Sequence, residues 1–356
     1  MIGLTKMISI DGSYLEGGGQ MLRTALALSI ITKKPFEIFN IRSNRPNPGL
    51  KNQHLHSIKA IMRLSNSKAE SVFLGSDRIK FFPGEFNGGN IEIDMKTAAS
   101  ITLLLQSLII PMAFLKKTKL RIIGGTDVKW SPTIEYFNNV FLYYLRKYAE
   151  ISVKVLRRGY YPKGGGIVEI IVKPYNKNKK QPLLLVEKPS NYDILGVSHA
   201  SKNLRERMVA ERQANRAAMI IKEKLGVKPT INVEYSDTLS SGSGICLWAY
   251  GSSDNDFSED SEGIVLGSDS LGEQSIKAET VGERAALNLV KNIREGVVDE
   301  LLADQLTPLI GLVGGALKTS KITNHTRTNV YVTNLFLNNT LQIENNIVKN
   351  INTEIL

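Results

Sequence analysis

The feature that most constrains this chain is a duplication in its first half. Lys33-Lys34 precedes an apolar run at 36–41, a loop holding Pro46 and Pro48, and a helix-period stretch at 50–64. Lys116-Lys117, 83 residues later, precedes a run at 119–123, a loop ending at Pro132, and a helical stretch to about 148. An apolar helix stands before each of these runs, at 20–31 and 97–112. Short β-rich runs close each copy, at 71–74 and 78–82, then at 153–156 and 167–172. The unit reads β-α-β-α-β-β. A copy of this kind offers one helical face and one sheet face, so the expected class is α+β, in packed layers.

A third copy is expected late in the chain, with helices at 279–294 and 299–313 and strands at 328–335 and 341–347. The stretch before it has its own strands at 192–198, 230–235 and 244–250 and a long helix at 204–225, and reads as an inserted small α/β domain. The expected division is a core of three repeats over 1–185 and 276–340, an insert over 186–275, and a C-terminal tail over 341–356.

Charge follows the same division. The 356 residues carry a formal net charge of +11, yet residues 1–180 hold 28 Lys and Arg against 12 Asp and Glu. Residues 181–276 hold 9 against 14. A basic half predicts a polyanionic partner, with nucleic acid first in line, and Lys177, Lys179 and Lys180 are among the expected contacts. The single cysteine, Cys246, excludes a disulfide scaffold. Apolar residues at 101–115 form the longest candidate span, and Gln106 and Ser107 interrupt it, so no membrane segment is expected. A soluble, cytoplasmic protein is the expectation.

No HExxH, CxxC, GxxxxGK[ST] or GxSxG occurs. A zinc cage and a P-loop are therefore not expected. Other segments carry the chemistry. Gly17-Gly18-Gly19 opens a helix, where backbone N–H groups can approach a phosphate. Glu16 beside it can hold a hard cation. Arg23, Arg42 and Arg45 can fork onto phosphate oxygens, with His54 near them in sequence. His325 stands among polar residues entering the 328–335 run, and a neutral imidazole is a good nucleophile near pH 7.

Together these segments resemble the RNA 3′-terminal phosphate cyclase family. The matching pieces are EGGGQ-x-L-R (16–23), I-R-x-x-R-x-x-P-G-L-x-x-Q-H (41–54), the leucine-rich helix with Gln106, GGTD (124–127), RGYYPKGGG (158–166), LADQL (302–306) and the His325 segment. The resemblance implies three β-α-β-α-β-β units, as in enolpyruvyl transferases, with a small domain inserted before the third. It implies a ligase-type enzyme. ATP adenylates a histidine, AMP passes to an RNA 3′-phosphate, and the adjacent 2′-hydroxyl displaces AMP to leave a 2′,3′-cyclic phosphate.

By resemblance, His325 is the nucleophile and Glu16 binds Mg²⁺ or Mn²⁺ with the ATP phosphates. Arg23, Arg42, Gln106, Leu301, Leu302, Ala303, Asp304 and Gln305 surround ATP or AMP. Arg45, Gln53 and His54 face the acceptor or nucleotide phosphates. Leu301 departs from relatives that carry an aromatic residue there. The partners implied are ATP and an RNA with a 3′-phosphate end; a homodimer is allowed. Two other readings share the fold: a non-catalytic ribosome-assembly relative, which lacks the histidine, and an enolpyruvyl-type transferase.

Overall fold

The computed structural model describes residues 6–175, 181–252 and 263–352. Lys177, Lys179 and Lys180, expected to meet RNA, lie outside the described residues.

The first sheet contains β1 (Ile8–Asp11), β2 (Phe36–Phe39), β3 (Lys68–Glu70) and β4 (Ile79–Phe82), with helices α1 (Gln20–Thr32) and α2 (Asn52–Leu64) between strands. β1 and β2 are parallel, and β4 then β3 add antiparallel, in the order β1-β2-β4-β3. α2 buries His54, Ser57, Ile58, Ile61 and Leu64, a stripe at helical spacing that faces the core. The second sheet is wired in the same way. It holds β5 (Gly89–Asp94), β6 (Thr118–Gly124), β7 (Ala149–Arg157) and β8 (Gly166–Pro174) in the order β5-β6-β8-β7. Its helices are α3 (Ile101–Phe114), buried on nearly every side, and a broken helix made of α4 (Ile134–Tyr136), a π turn at Phe137–Phe141 and α5 (Leu142–Leu145).

A third sheet of the same wiring starts before the insert, at β9 (Leu183–Leu185). The insert follows as β10 (Asn191–Ser201), α6 (Val209–Leu225), β11 (Thr230–Ser236), β12 (Ser243–Ser252), β13 (Ile264–Leu271) and α7 (Ala278–Glu295). The chain returns through α8 (Glu300–Val313), β14 (Gly315–Lys318), α9 (Asn324–Leu337), β15 (Leu341–Glu344) and β16 (Ile347–Asn350), closing the sheet β15-β16-β14-β9.

Three expectations are corrected here. The stretch 279–294 is not the first helix of a third unit. It is α7, whose Val281, Ala285, Ala286, Leu289 and Ile293 share a core with Ile220 and Ile221 of α6 and Ile245 and Leu247 of β12. The acidic composition suggested a boundary at 275, whereas the apolar face of α7 packs on α6 and β12. The run 328–335 is not a strand. It lies in α9, because Thr323 caps the helix by accepting the Thr326 N–H, and Thr326, Val330 and Thr333 bury one helical stripe. Four β-branched residues suggested a strand; packing against α1 and α8 overrides that preference. Finally, the expected tail begins with β15 and β16, which supply half the strands of the third sheet, so this part belongs to that sheet.

The 158–166 string fastens the insert to the second sheet. Arg158 is 2% exposed, and its guanidinium contacts Asp127 at 3.3 Å, Glu135, and Glu234 of β11 at 2.8 Å. Tyr160 lies 2.8 Å from His199 Nδ1 in β10. Any side chain at Gly242 would collide with the Tyr160 ring, with a Cβ 2.2 Å from its Cγ, so this glycine lets the two bodies close. Removing Arg158 would leave Asp127 and Glu135 buried without their cation. Such one-sided losses cost about 3–5 kcal/mol. Arg158→Ala is therefore expected to lose about that much in urea denaturation, with the insert contacts opening first; a loss under 1 kcal/mol would show that water reaches this joint.

Candidate active site

Seven segments bring polar residues toward one place. Glu16 sits in the β1–α1 turn, Arg23 one turn into α1, and Arg42 and Arg45 in the β2–α2 loop. Gln53 and His54 open α2, Gln106 lies mid-way along α3, and Asp304 and Gln305 lie on α8. His325 is in the first turn of α9. α1 packs against both α3 and α9, and α8 packs on α9, which is why residues so distant in sequence converge.

His325 stands between two carboxylates. Its Nε2 is 3.0 Å from Glu16 Oε2, and its Nδ1 is 3.8 Å from Asp304 Oδ2. Glu16 also pairs with Arg45 at 3.2 Å. The His325 side chain is 44% exposed, open to a reactant, whereas Asp304 is buried. Burial pushes the Asp304 carboxyl up, and His325 and Arg23 pull it back toward the ionised form.

Arg23 donates from Nε to Gln106 Oε1 at 3.0 Å. The two positions are 83 residues apart, the same offset as the paired lysines of the duplication. Burial lowers the Arg23 pKa to about 10, with Asp304 opposing, so it remains a cation at pH 7. A small cavity lined by Gln20, Arg23, Gln106, Asp304, Gln305 and Asn329 lies beside it.

His54 is 5% exposed and its Nδ1 accepts the Lys51 N–H at 3.0 Å. A neutral ring therefore carries its proton on Nε2. That nitrogen faces the start of α1: a Cβ on Gly19 would lie 2.4 Å from it and 3.2 Å from Arg23 Nη1. The third glycine of the triplet is thus required by a histidine and an arginine closing over the helix start. Burial, with Arg23, Arg42 and Lys51 nearby, drives the His54 pKa down to about 3.

Several expected residues stand apart. Gln53 is bound on both amide atoms to the backbone of Ser100, at 2.7 and 3.0 Å, so it ties α2 to the cap of α3 rather than facing a phosphate. Leu302 and Ala303 are fully buried in the main core. Leu301 is partly buried against that core. The sequence reading missed Asn329 and Thr24. Asn329 repeats four residues after His325, the one signal that places it on the same helical face.

Gln20 Nε2, Arg42 Nε, Arg45 Nε and Gln305 Oε1 are buried without a hydrogen-bond partner. Buried polar groups are normally satisfied, so these four suit a polar ligand. Among the described residues no group of three or more His, Cys, Asp or Glu side chains could hold a metal. Nor, among them, is any helix long and apolar enough to cross a membrane.

A family profile described as RNA 3′-terminal phosphate cyclase matches residues 14–343. The chain belongs to this enzyme family. Curated proteins named RNA 3′-terminal phosphate cyclase resemble it along nearly its whole length. The one from Pyrococcus furiosus is 46% identical over 344 residues, 96% of each chain. That from Pyrococcus abyssi is 43% identical, covering 96% of this chain and 97% of its own. That from Archaeoglobus fulgidus is 41% identical, covering 96% and 98%. The segment carrying Glu16, Arg23, Arg42, Arg45, His54, Gln106, Asp304 and His325 falls within the matched span.

The enclosure of His54 by three cations has a direct spectroscopic consequence. In ¹⁵N-histidine NMR its ring should keep the Nε2-protonated neutral signature from pH 8 down to pH 4. A midpoint near 6.5 would mean that the ring is open to water and not faced by Arg23 and Arg42.

Proposed function

We propose that this enzyme converts the 3′-terminal phosphate of an RNA to a 2′,3′-cyclic phosphodiester, with ATP as the activating substrate. The observation that carries the reading is His325 held between Glu16 and Asp304 beside three arginines. The three similarly wired sheets are read as copies of one β-α-β-α-β-β unit, the third split by the insert, as in enolpyruvyl transferases. In this division the core covers 6–185 and 299–352 and the insert 186–298. The reaction is assigned to the cytoplasm.

A phosphate monoester cannot be displaced by its neighbouring hydroxyl without a good leaving group, and adenylation supplies one. In the first step a ring nitrogen of His325 attacks the α-phosphorus, a P–N bond forms, and the bond to pyrophosphate breaks. Asp304 faces Nδ1, so Nε2 is the attacking atom, and its contact with Glu16 opens as the nucleotide enters. Asp304 stabilises the positive charge that develops on the ring, as a carboxylate does behind other catalytic histidines. An RNA phosphate oxygen then attacks the same phosphorus and the P–N bond breaks, giving an RNA-ppA end. The 2′-hydroxyl attacks the 3′-phosphorus, loses its proton, and AMP departs.

Arg23 and Arg42 are placed on the ATP phosphates, with the start of α1, which has no side-chain cap, completing the cradle. The His54 Nε2–H and Arg45 serve the acceptor phosphate. Gln305 Oε1 and Gln20 Nε2 are unpaired groups suited to the nucleotide. A bound Mg²⁺ or Mn²⁺ would neutralise phosphate charge. It would take Glu16 as its one carboxylate, with phosphate oxygens and water as the other ligands, a set that suits a hard cation.

Incubation with α-³²P-ATP should leave label on the denatured chain, acid-labile and alkali-stable as a P–N bond is. His325→Ala and His325→Asn should fold and remain unlabelled. Label that persists in His325→Ala would refute the assignment. An unlabelled natural chain would favour a non-catalytic relative or an enolpyruvyl-type transferase. Arg23→Ala should slow adduct formation about 10–150-fold, the loss of a charge-assisted phosphate contact. Arg23→Lys should recover only part, since an ammonium cannot fork. Full-speed labelling by Arg23→Ala and Arg42→Ala would move the ATP phosphates elsewhere.

A further inference from the structure

Asn329 occupies a place in this site that its solvent exposure, 4%, conceals. It lies four residues after His325, on the same face of α9. Its Nδ2 donates to Asp304 Oδ1 at 2.6 Å and to the Asp304 carbonyl at 3.1 Å. Its Oδ1 accepts from the Thr24 hydroxyl at 2.7 Å. The amide orientation follows from this network: reversing it would set a carbonyl oxygen against a carboxylate oxygen.

We infer that Asn329, held by Thr24, is a positioning residue that reserves Asp304 Oδ2 for His325. A carboxylate's terminal torsion is broad and nearly two-fold, so nothing intrinsic to Asp304 selects which oxygen faces the imidazole. Asn329 takes up Oδ1 and the backbone carbonyl behind it, leaving Oδ2 on the side of His325 Nδ1, 3.8 Å away. That gap exceeds a hydrogen bond, as is common before a reactant enters, and it closes by a small shift of the exposed His325 ring. Thr24 sits next to Arg23 on α1, so the same helix turn that places a phosphate-binding arginine also aims the carboxylate. Asn329 lines the cavity beside Arg23, yet Thr24 and Asp304 already engage both of its amide atoms, so in this scheme it offers no bond to nucleotide or RNA.

The inference rests on His325 as the adenylated group, and the experiment separates the two. Single-turnover labelling with α-³²P-ATP is timed over a range of ATP concentrations. The natural chain, Asn329→Ala, Thr24→Val, Asp304→Ala and the Asp304→Ala/Asn329→Ala pair are compared. An unlabelled natural chain overturns the functional reading itself. With a labelled natural chain, Asn329→Ala should slow adduct formation at saturating ATP about 10–100-fold, the scale of one hydrogen bond to a charged group. The ATP concentration for half-maximal rate should stay within about threefold, because no ATP contact is removed. In the Asp304→Ala background the same change should have an effect under about threefold, since Asn329 then has no carboxylate to hold. An equal loss in both backgrounds, or a loss of ATP affinity with an unchanged saturating rate, overturns the inference. Should Asn329→Ala fail to fold, Thr24→Val decides, since it keeps the side-chain shape and removes only the donor. A saturating rate about three- to tenfold lower supports the inference, and an unchanged rate overturns it.

Discussion

Thr24 and Asn329 are 305 residues apart, and the 2.7 Å hydrogen bond between them marks the contact on which the site depends. It joins α1, near the start of the chain, to α9, near its end. α8 packs on α9 and α3 on α1, so the same convergence brings Asp304 and Gln106 to Arg23. No single sheet with its helices contains the site. Glu16, Arg23, Arg42, Arg45 and His54 come from the first, Gln106 from the second, and Asp304 and His325 from the third. A chain that failed to close these three sheets and their helices on one another would not assemble this cluster. This explains why a buried polar network, costly unless fully satisfied, is found among apolar helices.

Charge inside the site is arranged around that closure. Arg23, Arg42 and Lys51 surround a histidine kept neutral by burial, which leaves His54 able to donate from Nε2 without adding a further cation. Glu16 and Asp304 flank His325, Glu16 paired with Arg45 and Asp304 attracted by Arg23. Cationic side chains around His54 thus adjoin two carboxylates at His325. The unpaired buried atoms of Gln20, Arg42, Arg45 and Gln305 belong to the same surface.

The insert is fastened at a separate joint. Its sheet lies between α6 and α7 on one face and the broken helix of the second unit on the other, where the Tyr144 hydroxyl bonds both the N–H and the C=O of Val265. Arg158, Asp127, Glu135 and Glu234 add a buried ionic link across the boundary. The specific string 158–166 is therefore a structural clasp. Its glycines let backbones cross: Cβ atoms at Gly164 and Gly166 would lie under 3 Å from Ala98 and Gly159.

Local signals in the sequence determined most elements. Apolar periodicity located α1, α2, α3 and α8, and the repeated lysine pairs stand before β2 and β6, the second strands of two similarly wired sheets. The residue types at Glu16, Arg23, Arg42 and His325 suggested phosphate chemistry, because few side chains can supply a nucleophile or a fork for an anion, and Asp304 was added only by the family resemblance. What the sequence could not decide were choices made by distant partners. Whether the Thr- and Val-rich run after His325 is helix or strand depended on α1 and α8 packing against it. Whether α7 belongs to the core or to the insert depended on which apolar surface met Val281 and Leu289. Gln53 reads as a phosphate ligand until Ser100 takes both of its amide atoms. Asn329 has no signature of its own, since its role exists only once Thr24 and Asp304 arrive from opposite ends of the chain. Local propensity is written along the chain, whereas the partner that satisfies a buried polar group is set by the tertiary fold.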